Sequence, residues 1–139
     1  MRMTLIRKSD YAVRAMLDIS MHHPARRTAR SVGSATEIPR NTLTQVLATL
    51  VAQGLLDSVA GPAGGYTLTR PPEDITLLEV ITAAEGPIRD ESCALTGGTC
   101  DANHACAIHD LWRRATDDFT RHLATTTLAN LVADGSHPG

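Results

Sequence analysis

Cysteine is missing from almost all of this 139-residue chain, and the three that occur, Cys93, Cys100 and Cys106, crowd into one late, glycine-containing stretch. No C-x-x-C pair exists, which removes a thioredoxin-like redox site, and an odd number of thiols argues against a structural disulfide framework. No run approaches the roughly 18 apolar residues of a membrane span. The opening Met1-Arg2-Met3-Thr4-Leu5-Ile6-Arg7-Lys8 offers no apolar core for a signal peptide. The expectation is a cytoplasmic protein with no membrane partner and with reduced thiols. A glycine-rich nucleotide loop, a nucleophile elbow and other catalytic motifs are also lacking. Cys106 and His109 are the right types for nucleophile and base, yet an enzyme is not the expected reading.

Net charge is only −2, which taken alone argues against a nucleic-acid partner. The average hides an asymmetry. Residues 1–70 hold nine Lys and Arg against four Asp and Glu, residues 71–139 four against eleven, so the halves carry +5 and −7. A basic half is the electrostatic footprint of phosphate contact.

In that half, Tyr11, Ala12, Ala15, Met16 and Ile19 recur at helical spacing, predicting a helix from Ser9 to His22 closed by Pro24. The basic stretch Arg26, Arg27, Arg30 leads into a second helix over residues 28–35, weakened by Ser31, Gly33 and Ser34. Pro39 suits the first position of a third helix, where Leu43, Val46, Leu47, Leu50 and Val51 repeat until Gly54. Its opposite face shows Asn41, Thr42, Thr44, Gln45, Ala48 and Thr49, short or hydrogen-bonding side chains that can sit against base edges. Two short strands then flank Gly61-Pro62-Ala63-Gly64-Gly65, and Pro71-Pro72 ends the hairpin. Helix, weak helix, polar-faced helix and glycine-tipped hairpin, in that order, spell a winged helix-turn-helix. The fold class is mainly α with a small β-hairpin wing.

Thr76-Leu77-Leu78-Glu79 has capping-box form and opens a helix through Ala84, stopped by Gly86-Pro87. Ile108, Leu111, Trp112, Ala115, Phe119 and Leu123 mark a last long helix whose apolar stripe exceeds what so small a core can cover, so we expect it to dimerise the chain. Leu128, Leu131 and Val132 suggest one short closing turn. The expected organisation is a DNA-binding domain over 1–72, a linker helix, cysteine loop and dimerisation helix over 73–134, and a disordered tail over 135–139.

Six residues separate Cys93 from Cys100 and five separate Cys100 from Cys106, too far apart for the usual zinc pairs. Three soft thiolates plus one further donor suit an iron-sulfur cluster, although the spacing is not a common ferredoxin run. The fourth ligand is open at this point. His109, three residues after Cys106 on the same helical face, could reach the same metal, and Asp10 could do so if the first helix of one subunit approaches the loop of the other. His104 and Glu91 are outsiders.

Three passages carry a family resemblance. Tyr11-Ala12-Val13-Arg14-Ala15-Met16-Leu17-Asp18, Gly61-Pro62-Ala63-Gly64-Gly65-Tyr66, and the cysteines leading into Cys106-Ala107-Ile108-His109-Asp110-Leu111-Trp112 together resemble the iron-sulfur winged-helix regulators typified by IscR and NsrR, the Rrf-two family. The resemblance implies a homodimeric transcription factor, expected to act as a repressor, whose cluster state alters binding to a double-stranded operator in response to cluster status, redox stress or nitric oxide. It implies a 2Fe-2S cluster if His109 is the ligand, as in IscR-like proteins, and a 4Fe-4S cluster responding to nitric oxide if Asp10 is, as in NsrR-like ones. The preferred set is Cys93, Cys100, Cys106 and His109. A metal-free thiol switch on the same fold is the alternative. Two departures bear on the operator, which is therefore not expected to be the familiar one: Ala60 stands where IscR-like wings carry arginine, and Thr44 replaces an acidic residue. Asn41, Thr42, Thr44 and Gln45 are expected to read bases, while Arg30, Arg40 and the backbone of Gly64 and Gly65 hold phosphates.

Overall fold

Ala12, Ala15, Met16 and Ile19 fall on one helical face, and the helix they form, α1 (Arg7–His22), carries all four into the core. The structure is a computed structural model describing residues 7–86 and 109–134, with only the backbone described for Arg7, Lys8, His109 and Trp112. Around α1 are arranged α2 (Ala29–Thr36), α3 (Arg40–Ala52), the hairpin β1 (Leu56–Val59) and β2 (Gly65–Leu68), then α4 (Leu77–Glu85), α5 (His109–Thr125) and α6 (Leu128–Ala133). A single 3-10 turn, Pro72–Asp74, links the hairpin to α4. α1 packs against α2, α3, α4, α6 and β2, so it is the axis of the fold.

The serines and glycine that weaken α2 are offset at its ends. The Thr28 hydroxyl oxygen accepts the Ser31 N–H at 3.0 Å, and at the other end Glu37, left-handed at φ 59°, donates its N–H to the Gly33 carbonyl. Gly33 also lets α3 come close, since a β-carbon there would lie 3.3 Å from Leu43 Cδ2. Pro39, expected inside the third helix, is instead its N-cap. Its ψ of 138° keeps it extended, its carbonyl accepts the Leu43 N–H at 2.8 Å, and the helix starts at Arg40. Leu43, Val46, Leu47 and Leu50 are buried, as their spacing requires.

β1 and β2 pair antiparallel from Leu56↔Leu68 at the root to Val59↔Gly65 at the tip. Burial falls in the same direction: Leu55, Leu56 and Leu68 belong to the core and Val59 is exposed. A third segment joins them. Arg27 and Tyr66 exchange both backbone hydrogen bonds, at 3.0 and 2.8 Å, tying the α1–α2 connection to the wing.

α4 starts with the capping box that its sequence promises: Thr76 accepts the Glu79 N–H, and the Glu79 carboxylate accepts the Thr76 N–H. The closing turn is a full α6 with a second capping box, Thr127 and Asn130. A bridge pairs Thr76 with Thr127, flanked by bonds from Leu77 N–H to the Thr126 carbonyl and from Leu128 N–H to the Ile75 carbonyl. Ile75, Val80 and Leu128 are fully buried with Met16 and Leu47, so one hydrophobic core runs across residue 72. α5 packs along α4. The apolar stripe on α5 is buried at its far end, where Leu123 is 6% exposed, and open near its start, where Leu111 is 68% exposed. Ile108 and the tail after residue 134 lie outside the described residues. No described helix is long and apolar enough to cross a membrane.

Candidate functional site

The core-facing stripe of α3 fixes what its other side presents. Arg40, Asn41, Thr44 and Gln45 are exposed and Thr42 is half-buried at the flank. The Thr44 hydroxyl donates back to the Arg40 carbonyl at 3.0 Å, and Thr49 does the same to Gln45, so both threonines are locally anchored. Among the described residues, the side chains of Arg30, Arg40, Asn41 and Gln45 have no hydrogen-bond or ion-pair partner, so their donors and acceptors are free for a ligand. Arg30 and Arg40 line one depression between α2 and α3 together with Ser34 and Thr44. Thr42 and Gln45 line a different one, with Thr49, Ala12 and Ala84, between α3 and the α1–α4 pair. The expected reading surface thus has two edges: a cationic edge toward α2 and an amide-and-hydroxyl edge toward α4.

The wing glycines serve internal contacts. A β-carbon on Gly64 would overlap the Val59 carbonyl, and the Gly64 N–H donates to the Gly61 carbonyl at 3.0 Å. That N–H is therefore not available to a phosphate. Gly65, at φ 141°, lies against the Arg27 carbonyl, where a side chain would come within 2.8 Å.

Sequence reasoning missed the Asp18–Arg27 pair. Asp18 is 2% exposed, and its carboxylate accepts Arg27 Nε at 3.0 Å and Nη2 at 3.2 Å. Arg27 is thus a structural residue rather than part of a free basic run. The signal was present: an acid in phase with the buried Ala15 and Ile19 needs a cation. Arg26, also passed over, is exposed and donates from Nη1 to the Ala63 carbonyl at the wing tip, 3.2 Å away.

Of the expected metal ligands, Cys93, Cys100 and Cys106 lie outside the described residues, as do Glu91 and His104. His109 is the first described residue of α5. Asp10 lies in the first turn of α1, its carboxylate held by Arg14 at 3.1 and 3.2 Å. The neighbouring Ser9 N–H donates to Glu85 at 2.9 Å, so the start of α1 is tied to the end of α4, where the cysteine-bearing segment begins.

The Rrf2 family model, described as an iron-dependent transcriptional regulator, matches residues 5–134. The HTH-type transcriptional regulator IscR of Escherichia coli (O1:K1) is 35% identical over 131 residues, covering 94% of this chain and 80% of that protein. Among solved structures, CymR, the global cysteine regulator of B. subtilis, matches with a TM-score of 0.82 at 26% identity, over 95% of this chain and 98% of that one. T. potens IscR matches with a TM-score of 0.79 at 25% identity, over 96% and 89%.

Proposed function

The chain belongs to the Rrf2 family of transcriptional regulators, and from that membership we propose that it is a homodimeric, iron-sulfur-containing repressor that binds a double-stranded operator in the cytoplasm. The observation that carries the DNA reading is the outer face of α3, where Asn41 and Gln45 stand exposed with no partner among the described residues while Arg30 and Arg40 line its α2 edge. An amide that bonds an adenine edge at two points contributes about 1–3 kcal/mol of discrimination. The cations hold phosphates and set affinity. Leu111, open near the start of α5, supports self-association through that helix.

The donor set fits a cluster by its chemistry: three thiolates with one imidazole or carboxylate. Cys93, Cys100, Cys106 and His109 would hold it, with Asp10 the alternative to the histidine, and a 2Fe-2S cluster is the preferred form over 4Fe-4S. Bound there, the group would supply reactivity toward oxidants or nitric oxide. His109 lies on α5, α5 packs along α4, and α4 packs on both α1 and α3. Fixing His109 therefore constrains the stack on which the reading helix rests.

The test begins with anaerobic purification and measurement of iron and acid-labile sulfide, followed by operator selection from random DNA. Two irons per subunit are expected, and a protein that stays iron-free after reconstitution refutes the cluster. Gln45→Ala should relax sequence preference, while Arg40→Ala should weaken binding to all DNA and flatten its salt dependence. Equal losses on selected and random DNA for both variants refute the division of roles. The likeness to CymR, a cysteine regulator also solved in an oxidized form, favours one second reading, a metal-free thiol switch. It requires an iron-free protein whose operator affinity changes with peroxide and returns with a thiol reductant.

A further inference from the structure

The hairpin carries no cation of its own. Between Leu55 and Leu68 its only charged residue is Asp57, so by itself the wing would approach a polyanion with the wrong sign. We infer that Arg26, held against the wing tip from the α1–α2 connection, is the wing's contact to the DNA backbone, a deepening that rests on the operator-binding reading above.

Geometry supports this in three ways. Arg26 Nη1 donates to the Ala63 carbonyl at 3.2 Å, which fixes the guanidinium beside the tip although the residue belongs to another segment. The seat is built by Gly65, since a β-carbon there would come within 3.4 Å of Arg26 Cβ and closer still to the Arg27 carbonyl. The Arg27–Tyr66 backbone pair then holds the two segments in register. The charge is also uncommitted. Arg14, Arg27, Arg70 and Arg121 are each paired with a carboxylate, whereas Arg26 has no acidic partner among the described residues. One of its five N–H donors is used, which leaves the rest of a planar fork suited to two phosphate oxygens. Arg30 follows four residues later, as the second residue of α2, so the two cations lie on either side of the start of that helix, beside the depression that Thr28, Gly61 and Gly64 line between α2 and the wing.

The experiment is a salt titration of operator binding by the full-length protein, followed by fluorescence anisotropy, for wild type, Arg26→Ala, Arg26→Lys, Arg26→Gln and the double variant Arg26→Ala with Ala60→Arg. Arg26→Ala removes one phosphate contact from each subunit of the dimer, so it should weaken binding about a hundredfold, two charge-assisted hydrogen bonds of about tenfold each, and lower the slope of log affinity on log salt by about 1.8. Arg26→Lys should keep the slope. Arg26→Gln keeps a polar, hydrogen-bonding side chain but lacks the charge, so it should behave as alanine does. Ala60→Arg should restore the slope by returning a cation to the hairpin. Unfolding midpoints should be the same for all. Wild-type binding with an unaltered slope in Arg26→Ala or Arg26→Gln overturns the inference and leaves the operator reading intact. Wild-type protein that selects no DNA overturns both.

Discussion

Replacing Arg27 by alanine should be among the most damaging single changes in the winged-helix half, although the residue belongs to an arginine-rich stretch that looks solvated. Asp18 is 2% exposed and takes two hydrogen bonds from the guanidinium, whose Nη2 also donates to the Ser31 carbonyl. Removing the cation strands a carboxylate inside the fold, a defect that costs about 3–5 kcal/mol. Because the Arg27 side chain keeps 20% exposure, water can partly replace it, and the lower end, about 3 kcal/mol, is expected. For a chain of this size that corresponds to a fall in melting temperature of about 10 °C. Urea unfolding followed by far-ultraviolet circular dichroism, at fixed protein concentration because dimerisation feeds into apparent stability, measures it. The charge argument makes a sharper demand on the double variant. If the stranded charge is the cause, Asp18→Asn with Arg27→Ala must be more stable than Arg27→Ala alone. A loss under about 1 kcal/mol for Arg27→Ala, or no recovery in the double variant, refutes the reasoning.

Gly64→Ala forces a β-carbon into the Val59 carbonyl, so we expect a loss of about 1–3 kcal/mol and weaker operator binding, read by the same unfolding and anisotropy assays. The Glu79 carboxyl is raised by burial but lowered further by the Thr76 N–H and the Arg70 guanidinium, leaving it below its ordinary value of 4.5. A depressed carboxyl contributes stability that is present above that value and lost as pH falls through the folded one. Glu79→Gln should therefore lose stability near neutrality and show a shallower decline below about pH 4.5, measured by urea midpoints across the acid range. For the cluster, His109→Ala should lower bound iron, whereas Asp10→Ala, which gives up only a surface pair with Arg14, should leave iron content and stability nearly unchanged; the reverse pattern in iron analysis makes Asp10 the ligand.

The winged-helix order was legible in the sequence because each element announces itself locally. The buried stripes of α1 and α3 repeat at helical spacing, Thr76 and Glu79 form their capping box within four residues, and the turn glycines sit where Gly61 and Gly65 take positive φ. Less legible were contacts that depend on distant partners. α2 looked weak because its residues are poor helix formers, and it holds because Thr28 and Glu37 close its ends while Val32 packs in the core. The short turn after residue 127 became a helix of the main core because strand-like pairing of Thr76 with Thr127 brings Leu128 under α1, a contact between residues fifty-one positions apart.

The candidate DNA surface shows the same division. The exposure of Asn41, Thr44 and Gln45 follows from the α3 period alone, once Leu43, Val46, Leu47 and Leu50 are assigned inward. The roles of the arginines do not follow from periodicity, because Arg26 and Arg27 are adjacent in a loop and have opposite fates. Arg27 turns inward because, among the described residues, it alone hydrogen-bonds the buried Asp18 carboxylate, His22 Nδ1 standing off at 3.9 Å, and its backbone is fixed by Tyr66. With Arg27 pinned, the chain direction carries Arg26 outward and over the notch left by Gly65. One buried acid on α1 thereby decides which arginine stabilises the fold and which remains available to a ligand, and loss of the Asp18–Arg27 pair should misplace Arg26 as well. Stability and the salt slope of DNA binding should then fall together in Arg27→Ala, whereas Arg26→Ala should lower affinity and slope and leave stability unchanged.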